Sequence, residues 1–197
     1  MTDSIVPIVE GFAEVESVPT LMRRLLSEWG KYQLEIEKPV RVKRNQVTKP
    51  NELERRVIMA MHRPKCRGIV VILDSDDDCP KEFALGLLER AKQIAQSTPV
   101  SVVLPKSELE SWFVGSMESL RGMRGISSSA CSPPAPENIR DAKGYITKAM
   151  EGSRRYLEVD DQPAFAERFD LNQAFSKCRS FRKFHNDFRK IVDSLTS

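Results

Sequence analysis

The sequence predicts an α/β protein with a mostly parallel, four-stranded sheet flanked by helices and followed by a C-terminal helical extension. Short apolar runs rich in β-branched residues, such as residues 69–73, alternate with segments whose apolar residues recur every three or four positions. Continuous apolar runs are typical of strands buried on both faces, and strands that alternate with helices favour parallel pairing. Acidic residues directly after these strands indicate where a functional site would lie.

The predicted strands and helices alternate along the first part of the chain. Strands are expected over 5–9, 33–44, 69–73 and 99–104, and helices over 14–29, 51–62, 80–96 and 107–114. Pro7 cannot donate a hydrogen bond within a sheet, so we expect a weakened strand or a bulge there. Pro39 is expected to interrupt the second strand. Pro80 suits the first turn of the third helix.

The character of the sequence changes after residue 119. Two glycines, three consecutive serines and three prolines predict a loop over residues 120–136. We therefore expect an α/β domain over 1–119, this loop or linker, and a C-terminal helical segment over 137–197 packed on the same domain. Helices within that segment are expected near 141–151, 170–178 and 180–195.

The composition favours a cytoplasmic protein that does not enter a membrane. The longest apolar runs are about five residues, whereas a membrane span needs about 20. The first residues lack the basic and apolar regions of a secretory signal. The four cysteines stand far apart and only two histidines accompany them, so we expect reduced thiols and no zinc site.

Acidic residues follow several predicted strands at the ends where a parallel sheet keeps its functional crevice. Glu10 ends the first strand, and Asp74 and Asp76 end the third. Acids two positions apart on an extended segment point the same way. Glu14 lies one helical turn after Glu10 and can face the same crevice. Because such acids repel one another, Mg²⁺ or Mn²⁺ would stabilise the group, and Glu110, after the fourth strand, is a further candidate ligand.

Glu110 has a competing interpretation. Ser107-x-x-Glu110 fits a capping box, in which the glutamate reaches back to the backbone of the cap residue. On a helix Glu108 and Glu110 would lie about 200° apart, so only one of them could face the site.

Ordinary structural roles are open for the other acids as well. Glu10 and Glu14 could each stabilise the first helix through its dipole. Asp78 is expected to join the cap of the helix that begins at Pro80, and Asp77 to face solvent.

The order of these motifs resembles that of a Toprim domain, the fold named for topoisomerases and primases. The matching segments are Val9-Glu10-Gly11-Phe-Ala-Glu14, Leu73-Asp74-Ser-Asp76 and Glu108-Leu-Glu110-Ser-Trp112. This pattern is similar to small Toprim-like proteins of bacteria that are related to the nuclease half of overcoming-lysogenization-defect (OLD) enzymes. Such proteins are often encoded beside a separate AAA-type ATPase in phage-defence loci. Residues 132–137 and 180–184 resemble segments of the same family, so the likeness spans most of the chain.

The resemblance implies a metal-dependent nuclease subunit that hydrolyses phosphodiester bonds, with DNA as the expected substrate and Mg²⁺ or Mn²⁺ as cofactor. It assigns Glu10 as acid/base or metal ligand, the aspartates 74 and 76 as metal ligands, and Glu14 and Glu110 as further ligands. Lys106 is the nearest candidate for a basic residue that stabilises the transition state. The resemblance also implies a separate AAA-type ATPase as partner in antiviral defence, and it is compatible with a homo-oligomer.

Two other functions stay open at this point. A D-x-D phosphatase would use Asp74 as its nucleophile, although in such enzymes the pair follows the first strand. A Toprim scaffold could also act as an adaptor or sensor that binds metal or nucleic acid without turnover. A basic stretch on the second strand could contact the phosphates of a bound nucleic acid, although a solvated face is the more ordinary interpretation; its cations are Arg41, Lys43 and Arg44.

Overall fold

A five-stranded parallel sheet organises the computed structural model, which describes residues 2–76 and 79–196. The strands are β1 (Asp3–Val9), β2 (Leu34–Ile36), β3 (Val40–Arg41), β4 (Cys66–Ile72) and β5 (Val100–Val103). Their order is β2-β1-β4-β5, with β3 also paired to β1, and every strand pairing in this sheet is parallel. The predicted fold class, α/β with a mostly parallel sheet, is confirmed.

Helices cover both faces of the sheet and form the C-terminal part of the chain. They are α1 (Glu14–Glu28), α2 (Arg44–Val47), α3 (Glu52–Met61), α4 (Pro80–Ala95), α5 (Ser111–Val114), α6 (Ala142–Lys148), α7 (Glu158–Ala166), α8 (Leu171–Lys177) and α9 (Arg179–Thr196). Short 3₁₀ helices occupy Met117–Leu120 and Pro136–Asn138. Within the described ranges, no helix is both long enough and apolar enough to cross a membrane.

The sheet has five strands because the predicted second strand is divided. Residues 37–39 leave the sheet between β2 and β3, where Pro39 was expected to interrupt it. Pro7 lies in β1 opposite this gap. Ile5 O accepts a hydrogen bond from Glu37 N, and Val9 O accepts one from Val42 N. Residues two apart in a strand direct their backbone N–H and C=O groups to the same side, so the nitrogen of Pro7 also faces this side, where the gap lies. Because no strand pairs with β1 in the gap, the missing N–H of Pro7 removes no hydrogen bond from the sheet.

The irregularity expected at Pro7 lies elsewhere. The register between β1 and β4 shifts between Ser4 and Ile5, whereas Pro7 pairs regularly with Val70. The expectation of a bulge at Pro7 itself is therefore wrong.

The C-terminal helices share one apolar core with the sheet. The aromatic stripe of α9, formed by Phe181, Phe184 and Phe188, is fully buried. Trp112 stacks on Phe184 with ring centroids 5.4 Å apart. Gly68 in β4 permits the close approach of α9, because a Cβ atom there would lie 2.7 Å from Cγ2 of Ile191. The opposite face of the sheet packs against α3 and α4 in a second core.

Three helical segments differ from the prediction, and the first is the short α2, for which no helix was expected. The segment 158–166 forms α7, which the sequence did not indicate because Pro163 lies inside it and its polar Asp161 and Gln162 are buried. The helix predicted over 107–114 begins only at Ser111, and Ser107 has a left-handed φ of +63°, which lies outside the helical region. The predicted roles of Asp77 and Asp78 lie outside the described residues.

The 3₁₀ helix Pro136–Asn138 supplies the N-terminal cap of α9. Glu137 accepts hydrogen bonds from Arg179 N (2.6 Å) and Ser180 N (2.9 Å), the first two backbone groups of that helix. A carboxylate at this position satisfies unpaired N–H groups and favours the helix dipole.

Replacing Glu137 with alanine should lower the free energy of unfolding by about 1–2 kcal/mol, because the first turn of α9 loses its cap. Urea unfolding followed by circular dichroism measures this. Glu137→Gln keeps one oxygen acceptor and should lose less, and the exposed Glu151→Ala serves as the control. Equal stability of Glu137→Ala and Glu151→Ala would contradict the prediction.

Candidate functional site

Glu10 follows β1 directly at the carboxyl edge of the sheet. Arg41 Nε donates a hydrogen bond to Glu10 O (3.2 Å), so β3 holds this turn in place. The carboxylate is partly buried, and its Oε2 has no hydrogen-bond partner among the residues the structure describes. Burial raises the pKa of the Glu10 carboxyl, Asp76 raises it further, and a hydrogen bond from the Arg44 backbone opposes the rise.

Glu14 turns inward instead of facing solvent from the first turn of α1. It is only 6% exposed, and its carboxylate accepts a hydrogen bond from Gly11 N. A Cβ atom at position 11 would lie 2.6 Å from Oε2 of Glu14, so a larger residue there would displace the Glu14 carboxylate. Burial raises the pKa of Glu14 to about 7; the Gly11 hydrogen bond opposes this rise, and the negative charges of Glu110, Glu158 and Glu10 add to it.

Asp74 and Asp76 follow β4 but lie in different surroundings. Asp74 is partly buried, and its Oδ1 accepts a hydrogen bond from Leu109 N (2.9 Å). Burial raises the pKa of Asp74 well above its ordinary value, and Glu110 and Glu14 raise it further. The Asp76 side chain is 62% exposed and pairs with Arg44 Nε at 3.7 Å.

The expectation that these two aspartates point the same way is wrong. It assumed an extended chain, whereas Asp76 adopts a left-handed backbone conformation with a φ of +49°. Asp74 therefore contacts the loop after β5, and Asp76 faces the surface.

Glu110 is the most deeply buried of the candidate acids at 1% exposure. Its Oε1 accepts hydrogen bonds from Tyr156 OH (3.0 Å) and Gln162 Nε2 (3.2 Å). Its Oε2 is buried without a hydrogen-bond partner in the described part of the chain. Burial raises the pKa of Glu110 to about 7, although the ammonium group of Lys143 opposes the rise.

The capping-box interpretation of Glu110 is wrong. Ser107 N donates to Ser75 Oγ (2.9 Å) and not to a glutamate, and Glu110 immediately precedes α5. Because residues 107–110 are not helical, the argument that Glu108 and Glu110 cannot face the same place also fails. Both have a carboxylate oxygen about 4 Å from Nζ of Lys143, at 3.9 and 4.0 Å.

Lys143 brings a positive charge to the acids from the C-terminal segment. Its Nζ lies 2.8 Å from Glu158 Oε2, and its backbone N donates to Glu108 Oε2 (3.1 Å). Burial lowers the pKa of Lys143, but Glu110, Glu158 and Glu108 together raise it above its ordinary value. Lys106, which the sequence analysis put forward for this role, instead donates to Asn138 Oδ1 (2.6 Å) and lines a separate groove beside β5.

The acids form one electrostatic group. Glu10, Glu14 and Glu110 each raise the pKa of Asp74, and Glu10 and Glu110 raise that of Glu14. Carboxylate oxygens are the donors that Mg²⁺ and Mn²⁺ prefer, and the unpartnered oxygens of Glu10 and Glu110 fit such an ion. As the side chains stand, no three His, Cys, Asp or Glu residues in 2–76 and 79–196 are placed to hold a metal ion together. Metal binding therefore requires the carboxylates to rotate.

A basic depression of about 570 Å³ adjoins the acids. It is lined by Glu10, Gly11, Arg41, Lys43, Arg44, Asn45, Thr48 and Asp76. Its three cations are Arg41 at the end of β3, Lys43 directly before α2 and Arg44 at the start of α2. They lie beside Glu10 and Asp76.

Sequence reasoning missed the residues that reach the acids from the C-terminal segment. Tyr156 and Gln162 stand 46 and 52 positions after Glu110. Gln162 Oε1 in turn accepts from Ser17 Oγ (2.7 Å), which links α7 to α1. No local pattern in the sequence marks Tyr156 or Gln162, because their roles depend on tertiary contacts with Glu110.

Comparisons with known proteins give one match. No curated protein and no solved structure matches the chain, and the Toprim resemblance stays a prediction. The family described as a domain of unknown function (DUF4276) matches residues 9–189, a range that includes every candidate acid and the cations of the basic depression. The chain belongs to the DUF4276 family.

Proposed function

We propose that this protein is a metal-dependent phosphodiesterase that cleaves nucleic acid. The observation that carries the proposal is the convergence of Glu10, Glu14, Asp74 and Glu110 at the carboxyl edge of the sheet, beside a depression lined by three cations. Buried acids with raised pKa values in a cleft are typical of functional sites. Cations beside them suit a substrate with phosphate groups.

The acids have distinct expected roles. Glu10, Asp74 and Asp76, with Glu14 and Glu110, are the residues that would hold Mg²⁺ or Mn²⁺. When bound, such an ion lowers the pKa of a water molecule and offsets charge on a phosphate. The raised pKa of Glu10 brings its carboxyl closer to the range in which a group both accepts and returns a proton at neutral pH.

The remaining polar residues position the acids and the substrate. Tyr156 and Gln162 hold Oε1 of Glu110 by hydrogen bonds, whereas its Oε2 receives no hydrogen bond from the described residues. Arg41 and Lys43 line the depression where a phosphate would bind. The ATPase partner and the role in defence stay predictions that depend on the resemblance alone.

Lys143 favours a second candidate, a protein that binds nucleic acid without turnover. Its ammonium group already lies among Glu108, Glu110 and Glu158, and this offsets part of the negative charge that would attract a metal ion. The phosphatase alternative has less support, because in such enzymes the acid pair follows the first strand, whereas Asp74 and Asp76 follow β4.

Cleavage by the purified full chain tests the proposal. Plasmid, linear duplex, single-stranded DNA and RNA are each incubated with Mn²⁺, Mg²⁺ or EDTA, alone and with any ATPase encoded by a neighbouring gene. We expect cleavage of at least one substrate with a divalent ion and none with EDTA. Calorimetric titration with Mn²⁺ accompanies the assay. Mn²⁺ or nucleic-acid binding without any cleavage would overturn the nuclease proposal and support the second candidate.

A further inference from the structure

Phe12 is an exposed aromatic residue at the candidate site. It follows Glu10 and Gly11 directly, and 72% of its surface is exposed to solvent. The neighbouring Ala13 and Glu14 are buried, so Phe12 is the exposed residue of this turn. An exposed ring of this size next to a functional cleft is available for binding.

Arg41 covers one face of this ring. Its guanidinium carbon lies 3.4 Å from the centroid of Phe12, the geometry of a cation–π contact. The same side chain donates from Nε to Glu10 O, which fixes the pair beside the candidate acids. Phe12 therefore has one face held by a cation while most of its surface remains open.

The surroundings of this pair are basic and partly aromatic. Lys43 and Thr48 line the adjoining depression, and the Arg44 guanidinium lies 4.0 Å from the centroid of the Phe83 ring. Grooves that bind single-stranded nucleic acid combine cations that follow the backbone with aromatic rings on which bases stack. In a duplex the base faces are stacked on one another, so a single exposed ring has little to bind.

We propose that Phe12 and Arg41 form a stacking platform for an unpaired nucleobase, so that the site takes single-stranded polynucleotides. This deepens the proposed function, because a base on Phe12 would place the adjoining phosphate near Glu10. The platform itself needs only binding, and it is tested apart from cleavage.

Fluorescence anisotropy of labelled oligonucleotides with the full chain in EDTA tests the platform. The probes are single-stranded oligothymidine, oligouridine, a DNA duplex of the same length and a single strand of abasic sites. The variants are Phe12→Ala, Phe12→Trp, which keeps a ring for stacking, and Tyr32→Ala. Tyr32 is a matched control because it is 76% exposed and precedes β2, which pairs with the opposite end of β1.

We expect the unmodified chain to bind a single strand more tightly than the duplex. Phe12→Ala should weaken single-strand binding about 5- to 100-fold, whereas Phe12→Trp and Tyr32→Ala should leave it nearly unchanged. Binding of the abasic strand should not respond to Phe12→Ala, because that strand offers phosphates without bases. The two single-stranded probes show whether DNA or RNA is preferred, and either supports the platform.

Three results would overturn the inference: no binding of any single strand, an equal loss for duplex and single strand, or no loss with Phe12→Ala. If Phe12 instead contacts a protein partner, we expect either no binding of single strands or no loss of binding with Phe12→Ala. The failure of the nuclease proposal is a separate result. Binding that depends on Phe12 but is not followed by cleavage would support the stacking platform and contradict the nuclease proposal. Cleavage of duplex DNA that does not depend on Phe12 would support the nuclease proposal and contradict the platform.

Discussion

Asp74→Asn is expected to lower divalent-ion-dependent cleavage by at least about a hundredfold. The substitution keeps the size of the side chain and an oxygen that accepts the hydrogen bond from Leu109 N. It removes the negative charge at the centre of the acid group, where Glu10, Glu14 and Glu110 each act on Asp74. Glu10→Gln should have a comparable effect, since Glu10 carries one of the two buried carboxylate oxygens that lack a hydrogen-bond partner among the described residues. Initial rates of cleavage at saturating Mn²⁺ measure both variants.

Unfolding measurements separate lost chemistry from lost structure. Each substitution removes a carboxylate from a group of like charges, so at pH 8 without metal the variants should be as stable as the unmodified chain or more stable. The exposed Asp160→Asn is the control and should cleave at the normal rate. Cleavage by both Asp74→Asn and Glu10→Gln within about threefold of that control would contradict the assignment.

The sheet could be predicted because its strands have strong local signals. The runs at 5–9, 69–73 and 99–104 are apolar and β-branched, and the structure places strands at each of them. The division of the second strand also has a local cause in Pro39. Helix α7 could not be predicted, because Pro163 lies inside it and Gln162 is buried through a contact with Glu110, which stands 52 positions earlier.

The candidate site could be predicted in part for a similar reason. Glu10 and Asp74 directly follow adjacent parallel strands, and the carboxyl ends of such strands share one edge. The orientation of Asp76 and of Glu110 depends on left-handed conformations at Asp76 and Ser107, which the sequence does not indicate. Lys143 reaches the acids from α6, so its contribution depends on tertiary packing alone.

Without a metal ion, the protein should become less stable as the pH rises from about 5 to about 8. The pKa values of Glu14 and Glu110 are about 7 in the folded chain, against an ordinary value of 4.5. Between these values the folded state binds more protons than the unfolded state, so the free energy of unfolding falls with rising pH. A shift of this size corresponds to about 3 kcal/mol for one carboxyl. Because the two groups interact, their joint effect should be less than twice that figure.

Urea unfolding in EDTA across this pH range measures the effect, and Glu14→Gln should flatten the curve because it removes one of the carboxyls whose pKa is raised. Glu118 does not affect the stability measured in this range. Burial raises its pKa, but hydrogen bonds from Ser132 outweigh burial and lower the pKa to about 2. Its contribution to the free energy of unfolding therefore changes only below about pH 4.5. Mn²⁺ binds ionised carboxylates, so it should raise the unfolding midpoint more at pH 8 than at pH 5. A stability that is constant or rising from pH 5 to 8 in EDTA would show that these acids are not held in mutual repulsion. The reason for expecting a metal ion among them would then be lost, whether or not the protein cleaves nucleic acid.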